Sequence, residues 1–506
     1  MFTQCLIVVV VILLVIDRWK PNKFVNLHQK LGNDFMYIPI IGNALSFAGN
    51  DEDRMKVSMK ATLQCYKREH KAISVWCGPI FMVVLASADQ ANVVLKQTLH
   101  KNLIHKFAKT LIGDATIFAP VDVWRRKRKI LIPSFAPKYV NKFISVFEAQ
   151  NKTLVEKFKS HVGKGNFSCW NDVVNSTLDS VCETVFGVRA ELQQQPYQVF
   201  LNAFEELTKT CISRGFQPWL YSDTIYKLTP VFKKQEKLKK IMHEFIDNLI
   251  CKKKELIRMG ENENEAETDN PHNTKLNFKT FIELMIENSK DDALTPEELR
   301  DESVGLLVAA SDTTAVGICT TLLLLSQHSD IQDKVYKEIK EVIGDSKNPL
   351  QLGDLLKLKY TKVVINESLR LYPPAPFIIR SCRQDLKLPS GITLPEGTDV
   401  VINIWGIQRN PQDWGEDVND FNPDRFMSEQ IPKAFLPFSY GLRNCIGQQY
   451  AMLSITTALV SILRQYRFIP ATSFTYDENN PLRFTFDAML RHVDRYAVQI
   501  ENRNKL

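Results

Sequence analysis

Apolar residues recur at helical spacing over much of this chain. Between residues 138 and 257 they stand three, four or seven positions apart, as at Phe143, Phe147, Leu154 and Phe158, which predicts helices burying one face. A second, longer pattern from about Thr295 to Ser326 predicts an extended apolar helix, and Gln448 to Arg464 predicts another. Ser329 with Gln332 reads as the capped start of a helix ending at Gly344, and the next helix stops before Pro373-Pro374. Alternation takes over from Ala72 to Ala86 around a Gly78-Pro79 turn, predicting a hairpin, and again over 480–500, predicting terminal strands. Tyr37 to Asn43 is too irregular for a helix, and the polar, acidic run from Arg258 to Asn273 reads as an exposed loop. The fold class expected is mainly α with small β-sheets, α+β.

Composition changes this picture little. At 506 residues, size alone suggests two or more domains, and 44% hydrophobic residues are ample for a core. A net charge of +7 is modest and spread out, and no nucleic-acid partner is expected. Ten cysteines lack framework spacing, as free thiols in a reducing compartment do. No internal repeat is present. Phe2 to Ile16 is almost wholly apolar and is followed by Asp17, Arg18, Lys20 and Lys23. With no small-residue cleavage site and its positive charges after the apolar run, it reads as a signal anchor with the bulk of the chain in the cytosol. The expected division is an anchor over 1–20, a linker or hinge over 21–43, and one domain over 44–506. Cytosolic placement makes the N-x-S/T triplets at Asn151, Asn166, Asn175 and Asn366 poor glycosylation sites.

The chemistry concentrates at Phe438-Ser-Tyr-Gly-Leu-Arg-Asn-Cys-Ile-Gly447. A lone cysteine is ordinarily a small buried hydrophobe, and glycines ordinarily mark a turn. The spacing F-x-x-G-x-R-x-C-x-G is another matter, expected by accident on the order of once in ten thousand chains of this length. Gly441 and Gly447 let the backbone turn tightly and approach a flat ligand. Amides around Cys445, with Arg443 and the start of the following helix, favour the thiolate. No second Cys or His lies close by, which argues against zinc or an iron–sulfur cluster. One thiolate on a large planar cofactor points to haem.

Phe438, Gly441, Arg443, Cys445 and Gly447 resemble the haem-binding loop of the cytochrome P450 monooxygenases at all five signature positions. That resemblance implies a single large helical domain and haem b, iron protoporphyrin IX, with Cys445 as metal ligand. It extends to five other stretches. Trp124 and Arg128, on one helical face, resemble the family's W-x-x-x-R, which holds a haem propionate; Pro133 and Phe135 continue the match. Arg125, Arg126, Lys127 and Lys129 around them suit an acidic electron donor. In Leu306-Leu-Val-Ala-Ala-Ser-Asp-Thr-Thr314, Asp312 and Thr313 compete with helical hydrogen bonds and are out of place in an apolar helix. They resemble the family's acid–alcohol pair for proton delivery beside the oxygen-binding face, with Ala309 and Ala310 letting the cofactor lie flat. Ala310 replaces the usual glycine. Glu367 with Arg370, and Phe421-Asn-Pro-Asp-Arg-Phe426, match signatures whose Glu367, Arg370 and Arg425 would form a buried brace for the cysteine loop. Pro376 with Arg380 resembles the segment supplying a second propionate contact.

Asn444 to Gln448, with Ala451-Met452, looks like the family-4-like branch, whose best-known members hydroxylate fatty acids near the chain end. Many of these carry a glutamate where this chain has Ala309, so an ester to the haem cannot form here. The Tyr37–Asn43 segment, with Pro39 alone, resembles a degenerate proline-rich hinge, and the family places its access lid within 138–257. The resemblance therefore implies a haem-thiolate monooxygenase on the cytosolic face of the endoplasmic reticulum membrane. It would insert one oxygen atom from O2 into a lipophilic small molecule. Electrons would come from NADPH through a separate NADPH–cytochrome P450 reductase, with cytochrome b5 as a second donor. Two other readings stand beside it: a haem-thiolate isomerase or dehydratase working without O2, and a non-catalytic haem or lipid carrier. An intact Asp312-Thr313 counts against the first.

Overall fold

The structure, a computed structural model, describes residues 20–101, 104–194, 198–258, 279–289, 294–344, 348–428, 430–472, 482–487 and 489–503. The expected anchor, apart from Lys20, and almost all of the expected loop from Arg258 to Asn273 lie outside the described residues.

The longer elements, in order, begin with α1 (Asn22–Leu31), α2 (Asp51–Lys67), β1 (Ala72–Cys77), β2 (Ile80–Leu85), α3 (Ala88–Gln97), α4 (Ile104–Ile112), α5 (Val121–Leu131) and α6 (Ile144–Phe158). They continue through β3 (Phe167–Ser168), α7 (Trp170–Val181), α8 (Gln198–Gly215), α9 (Pro230–Arg258), α10 (Phe281–Ser289), α11 (Pro296–Gln327), α12 (Ser329–Ile343) and α13 (Lys359–Leu371). The chain closes with β4 (Phe377–Ser381), β5 (Leu386–Lys387), β6 (Thr393–Leu394), β7 (Asp399–Asn403), α14 (Gln448–Leu463), β8 (Tyr466–Pro470), β9 (Phe484–Phe486), β10 (Leu490–His492) and β11 (Ala497–Asn502). One apolar cluster runs from Met55 to Ile500 through the helices, and a second lies under the sheet of order β1-β2-β7-β4. The chain is thus helical with small sheets, as its periodicities predict.

Helix α11 is the axis of the larger cluster. Thr295 caps it in a reciprocal box with Glu298, and Pro296 fits its first turn. The helix is long and apolar enough to cross a membrane, but 72% of its apolar stretch is buried within the protein. It is a core helix. It meets α14 where Gly317 leaves room for Ile455, whose Cδ1 a Cβ at 317 would approach to 2.8 Å. Helix α14 in turn starts directly after Gly447, so the cysteine loop is carried to the core by that crossing.

Three local expectations change. Residues 21–43 are not a free linker, because α1 buries Leu27 and Leu31 and stacks Phe24 on Phe81. Asn43 is buried and exchanges hydrogen bonds with Trp76, which pins the Tyr37–Asn43 turn to β1. Its sparse apolar residues conceal this, since what they dock against is a sheet formed later in the chain. Gln332 does not close a capping box. Its amide donates to Leu325 O and Phe468 O and accepts from Phe468 N–H, tying α12 to β8. Nor are the basic residues of α5 alike. Lys127 is buried, donates to Asp114 O and pairs with Glu302 at 3.2 Å, and Arg126 pairs with Glu298. Arg125 and Lys129 remain exposed on the surface.

Candidate haem-thiolate site

The loop before α14 is shaped by its backbone. Ser439 and Gly441 have φ of 61° and 76°, in the left-handed region that favours glycine. A Cβ on Gly441 would lie 2.4 Å from Leu95 O, so the contact with α3 admits no side chain there. Gly447 differs: its φ is ordinary, and a Cβ would meet only Phe135 Cε1 at 3.7 Å. The Cys445 amide donates to Phe438 O at 2.9 Å, closing the loop, and the Phe438 ring packs on the main core.

The Cys445 side chain is solvent-accessible, yet enough protein surrounds it to disfavour its charged form. Burial pushes its thiol pKa up, while the Gly447 amide and the positive charge of Arg128 act in the other direction. The sequence assigned that charge to Arg443; Arg128 supplies it instead. Arg128 Nη1 and Nη2 donate to Asn444 O and Oδ1 at 3.0 and 2.9 Å. It therefore braces the cysteine loop from α5.

Arg443 lies over the Trp124 ring at 4.7 Å and donates from Nη2 to Ala119 O at 2.6 Å, but its Nε and Nη1 are buried without partners. Arg380, on β4, is fully buried; Nη1 reaches the adjacent Ile379 O, and Nε has no partner. Burial pulls the Arg380 pKa down to about 10, and burial together with Arg380 and Arg128 pulls Arg443 down to about 10. A third cation joins them that the sequence reading missed. His100 pairs with Ser381 beside β4, which sets Lys101 next to Arg380. Burial, then Arg380 and Arg443, hold the Lys101 ammonium well below its usual pKa. Among the described residues no carboxylate pairs with Lys101, Arg380 or Arg443. Buried charges require counter-charges, so this cluster fits a ligand carrying carboxylates. A haem, with two propionates and an iron for Cys445, has that chemistry. No sequence signal marks Lys101, whose place is set by pairing between residues far apart.

On α11 the partly accessible residues between Glu302 and Ser326 are Leu306, Val308, Ala309, Ala310 and Thr313, and all of these but Val308 are spaced i, i+3, i+4, i+7. Those four form one stripe facing accessible space. Thr313 Oγ1 donates back to Ala309 O at 2.6 Å. Asp312 is elsewhere: it is buried, and both its oxygens accept from Arg491 Nη2, at 3.0 and 2.9 Å. The structure therefore separates the two members of the expected pair onto different faces.

The brace expected behind the loop is present. Glu367 and Arg370 are wholly buried and bonded twice, at 2.6 and 2.8 Å, and Arg425 Nε stands 3.5 Å from Glu367. Arg370 also donates to the carbonyls of Gln408, Val418 and Asp420. Gln408, unmarked in the sequence, donates to Leu369 O and Arg370 O and accepts from Leu436 N–H. That joins the brace to the cysteine loop two residues before Phe438.

A lone deep cysteine on a tight loop, buried cations awaiting carboxylates and a small-residue stripe define a haem-thiolate protein of the monooxygenase class. The chain belongs to the cytochrome P450 family, whose model matches residues 34–490. Among its relatives, cytochrome P450 4d2 of Drosophila melanogaster is 30% identical over 445 residues, covering 86% of this chain and 87% of that protein. Cytochrome P450 4V2 of Rattus norvegicus is 30% identical over 436 residues, covering 85% and 82%. Cytochrome P450 4c21 of Blattella germanica is 29% identical over 479 residues, covering 92% of each. The protein is accordingly a haem-dependent monooxygenase, an oxidoreductase that takes O2, a small-molecule substrate and a redox partner.

Proposed function

We propose that this enzyme oxygenates a lipophilic small molecule, a fatty acid, terpenoid, steroid or foreign compound, according to RH + O2 + NADPH + H+ → ROH + H2O + NADP+. The observation that carries this is the Cys445 loop with buried Arg380 and Arg443, which, among the described residues, have no carboxylate partner. Haem b supplies the oxygen-activating redox chemistry when bound, with thiolate ligation favouring O–O cleavage. The chain's own residues do the rest. Cys445 ligates the iron. Arg443 on Trp124, Arg380 and Lys101 hold the propionates, while Arg128 fixes the loop through Asn444. Phe438 and Gly447 flank the sulfur, and Ala309 leaves room for the flat ring. Thr313 Oγ1, on the accessible stripe, passes protons to the reacting face, and Asp312 supplies them once it leaves its ion pair with Arg491.

Electrons come from NADPH–cytochrome P450 reductase, with cytochrome b5 as a second donor; exposed Arg125 and Lys129, one helical turn apart, suit an acidic docking face. With that reductase, lipophilic compounds that shift the haem spectrum are expected to be oxidised only when NADPH and O2 are both supplied. Product formed without NADPH would overturn the reading in favour of a rearranging enzyme.

The Lys101 assignment has its own check. Lys101→Met is expected to lose haem to apomyoglobin roughly tenfold faster, the value of about one charged hydrogen bond. With haem dimethyl ester, which has no carboxylates, the difference between variant and parent should disappear. An equal difference with both haems would show that Lys101 is merely structural.

For location we propose the cytosolic face of the endoplasmic reticulum membrane. Leu228 is 82% exposed, and Trp219, Ile225, Val231, Met36 and Tyr37 are also exposed. The segments carrying Tyr37 and Trp219 come together at Gly78, where a Cβ would lie 2.6 Å from Pro218 and 3.8 Å from Ile40 O. Lys20, at the end of the apolar N-terminal stretch, lies over Tyr37 and Trp76 there. Scattered apolar residues mean little, but a patch beside an apolar leader marks a membrane contact. Protein lacking residues 1–19 should still float with phosphatidylcholine vesicles, and Trp219→Asp with Leu228→Asp should abolish this; flotation unaffected by the two charges would refute the contact.

A further inference from the structure

A cavity of about 220 Å3 opens beside the first turn of α5. Val121 and Arg125 of α5 form one wall, and Ser381, at the end of β4, forms another with Arg383 and Gln384 in the turn to β5. His100, just after α3, joins the two, because its carbonyl accepts from the Ser381 N–H at 2.9 Å. Cys445, Arg380, Arg443 and Lys101 do not line this cavity. It is therefore a different place from the site assigned to haem.

Its polar groups are mostly donors. Arg125 and Arg383 are exposed, and among the described residues neither guanidinium has an ion pair or a hydrogen bond. Ser381 is 7% exposed, and among the described residues its hydroxyl has no partner either. The Thr98 hydroxyl, by contrast, is already committed to Val94 O at 2.6 Å. Pro120 precedes α5 and offers its first-turn amides no side-chain acceptor, so the positive end of an 11-residue helix faces the same way. His100 feels the result. Burial lowers its pKa first, and Arg383, Arg443 and Arg125 lower it further, while Asp122 opposes them.

Surface arginines by themselves are ordinary. These two differ in sharing one cavity with a buried hydroxyl that lacks an acceptor, a group costly to leave unpaired. An oxyanion answers both needs. Each guanidinium presents a planar fork that matches two oxygens of a phosphate, and the serine hydroxyl and helix amides can donate to the others. A water molecule occupies ~30 Å3 in the liquid, so the cavity has room for a tetrahedral anion and a few waters. We propose that this cavity is a phosphate-binding site: Arg125, Arg383 and Ser381 take the oxygens of a free phosphate ion, or of the phosphate group at the end of a larger metabolite.

The test is calorimetric titration of the full-length holoenzyme with sodium phosphate, at an ionic strength held constant with chloride. Saturable binding of one phosphate per chain is expected. Arg125→Gln and Arg383→Gln should each weaken it about tenfold or more, and Ser381→Ala roughly threefold. Lys129→Gln, which removes an exposed cation of the same helix outside the cavity, should bind phosphate as the parent does. The carbon-monoxide band should be unchanged in all four variants. Adenosine monophosphate competing on equal terms would support the site and assign it to a larger metabolite; its failure to compete would support the site and assign it to the free ion. Absence of saturable binding would overturn the proposal, as would phosphate affinity unaffected by both arginine variants. Equal affinity for nitrate, a planar monoanion, would show general charge attraction and overturn it too. Binding to the apoprotein that is lost in the holoenzyme would show phosphate standing in for haem carboxylates, and would overturn it while leaving the haem reading intact.

Discussion

Cys445→Ala is expected to abolish the thiolate-type difference band that carbon monoxide induces in dithionite-reduced protein, and with it all NADPH-dependent oxygenation. The effect should be total because no second sulfur or imidazole stands ready. Among the described residues there is no group of three metal-ligating side chains, and the one other exposed cysteine among them, Cys251, lies on α9. The loop itself should survive. Its form is set by the Phe438 O contact with the residue 445 amide, by the approach of Gly441 to Leu95 O, and by the grip of Arg128 on Asn444. None of these uses the sulfur. Far-ultraviolet circular dichroism should thus be unchanged while the band is lost. A band identical to that of the parent would refute the haem-thiolate assignment at its root.

Glu367→Ala and Arg370→Ala are expected to give protein that is insoluble or lacks haem. Each leaves its partner charged, at 0% exposure, with no water to replace the lost bonds. Removing one member of a buried pair costs about 3–5 kcal/mol, a large share of the 5–15 kcal/mol or so that holds a typical domain together. Arg370→Ala also strands the carbonyls of Gln408, Val418 and Asp420. Glu367→Ala frees the Asn422 amide, which donates to Glu367 at 2.9 Å. Because Gln408 hands the constraint on to Leu436, damage should reach the cysteine loop before the outer helices. Soluble Glu367→Ala protein with full haem content would show that the brace is dispensable.

The helices were legible because burial of one face imposes a period that can be counted, as in α6, α11 and α14. The hairpin of β1 and β2 was legible from Gly78, whose φ of 59° fits the turn. The docking of α1 and the partners of Gln332 were not, since both depend on surfaces contributed by distant strands. The basic run of α5 shows the same limit within four residues: Arg125 and Lys129 meet solvent, while Lys127 is buried against Glu302.

By itself the sequence determined the family and singled out the cysteine loop. The residues that form the cysteine loop are contiguous, and a tight turn around one sulfur restricts residue types at fixed spacing. It also settled which residues make the Glu367–Arg370 pair, one helical turn apart. Only the tertiary structure decided what the isolated charges do. Arg128 turned to Asn444, Lys101 came to Arg380 and Arg443, and Asp312 was claimed by an arginine 179 residues away. Charge acts through space across whatever the fold brings together, and that proximity leaves no period or motif along the chain.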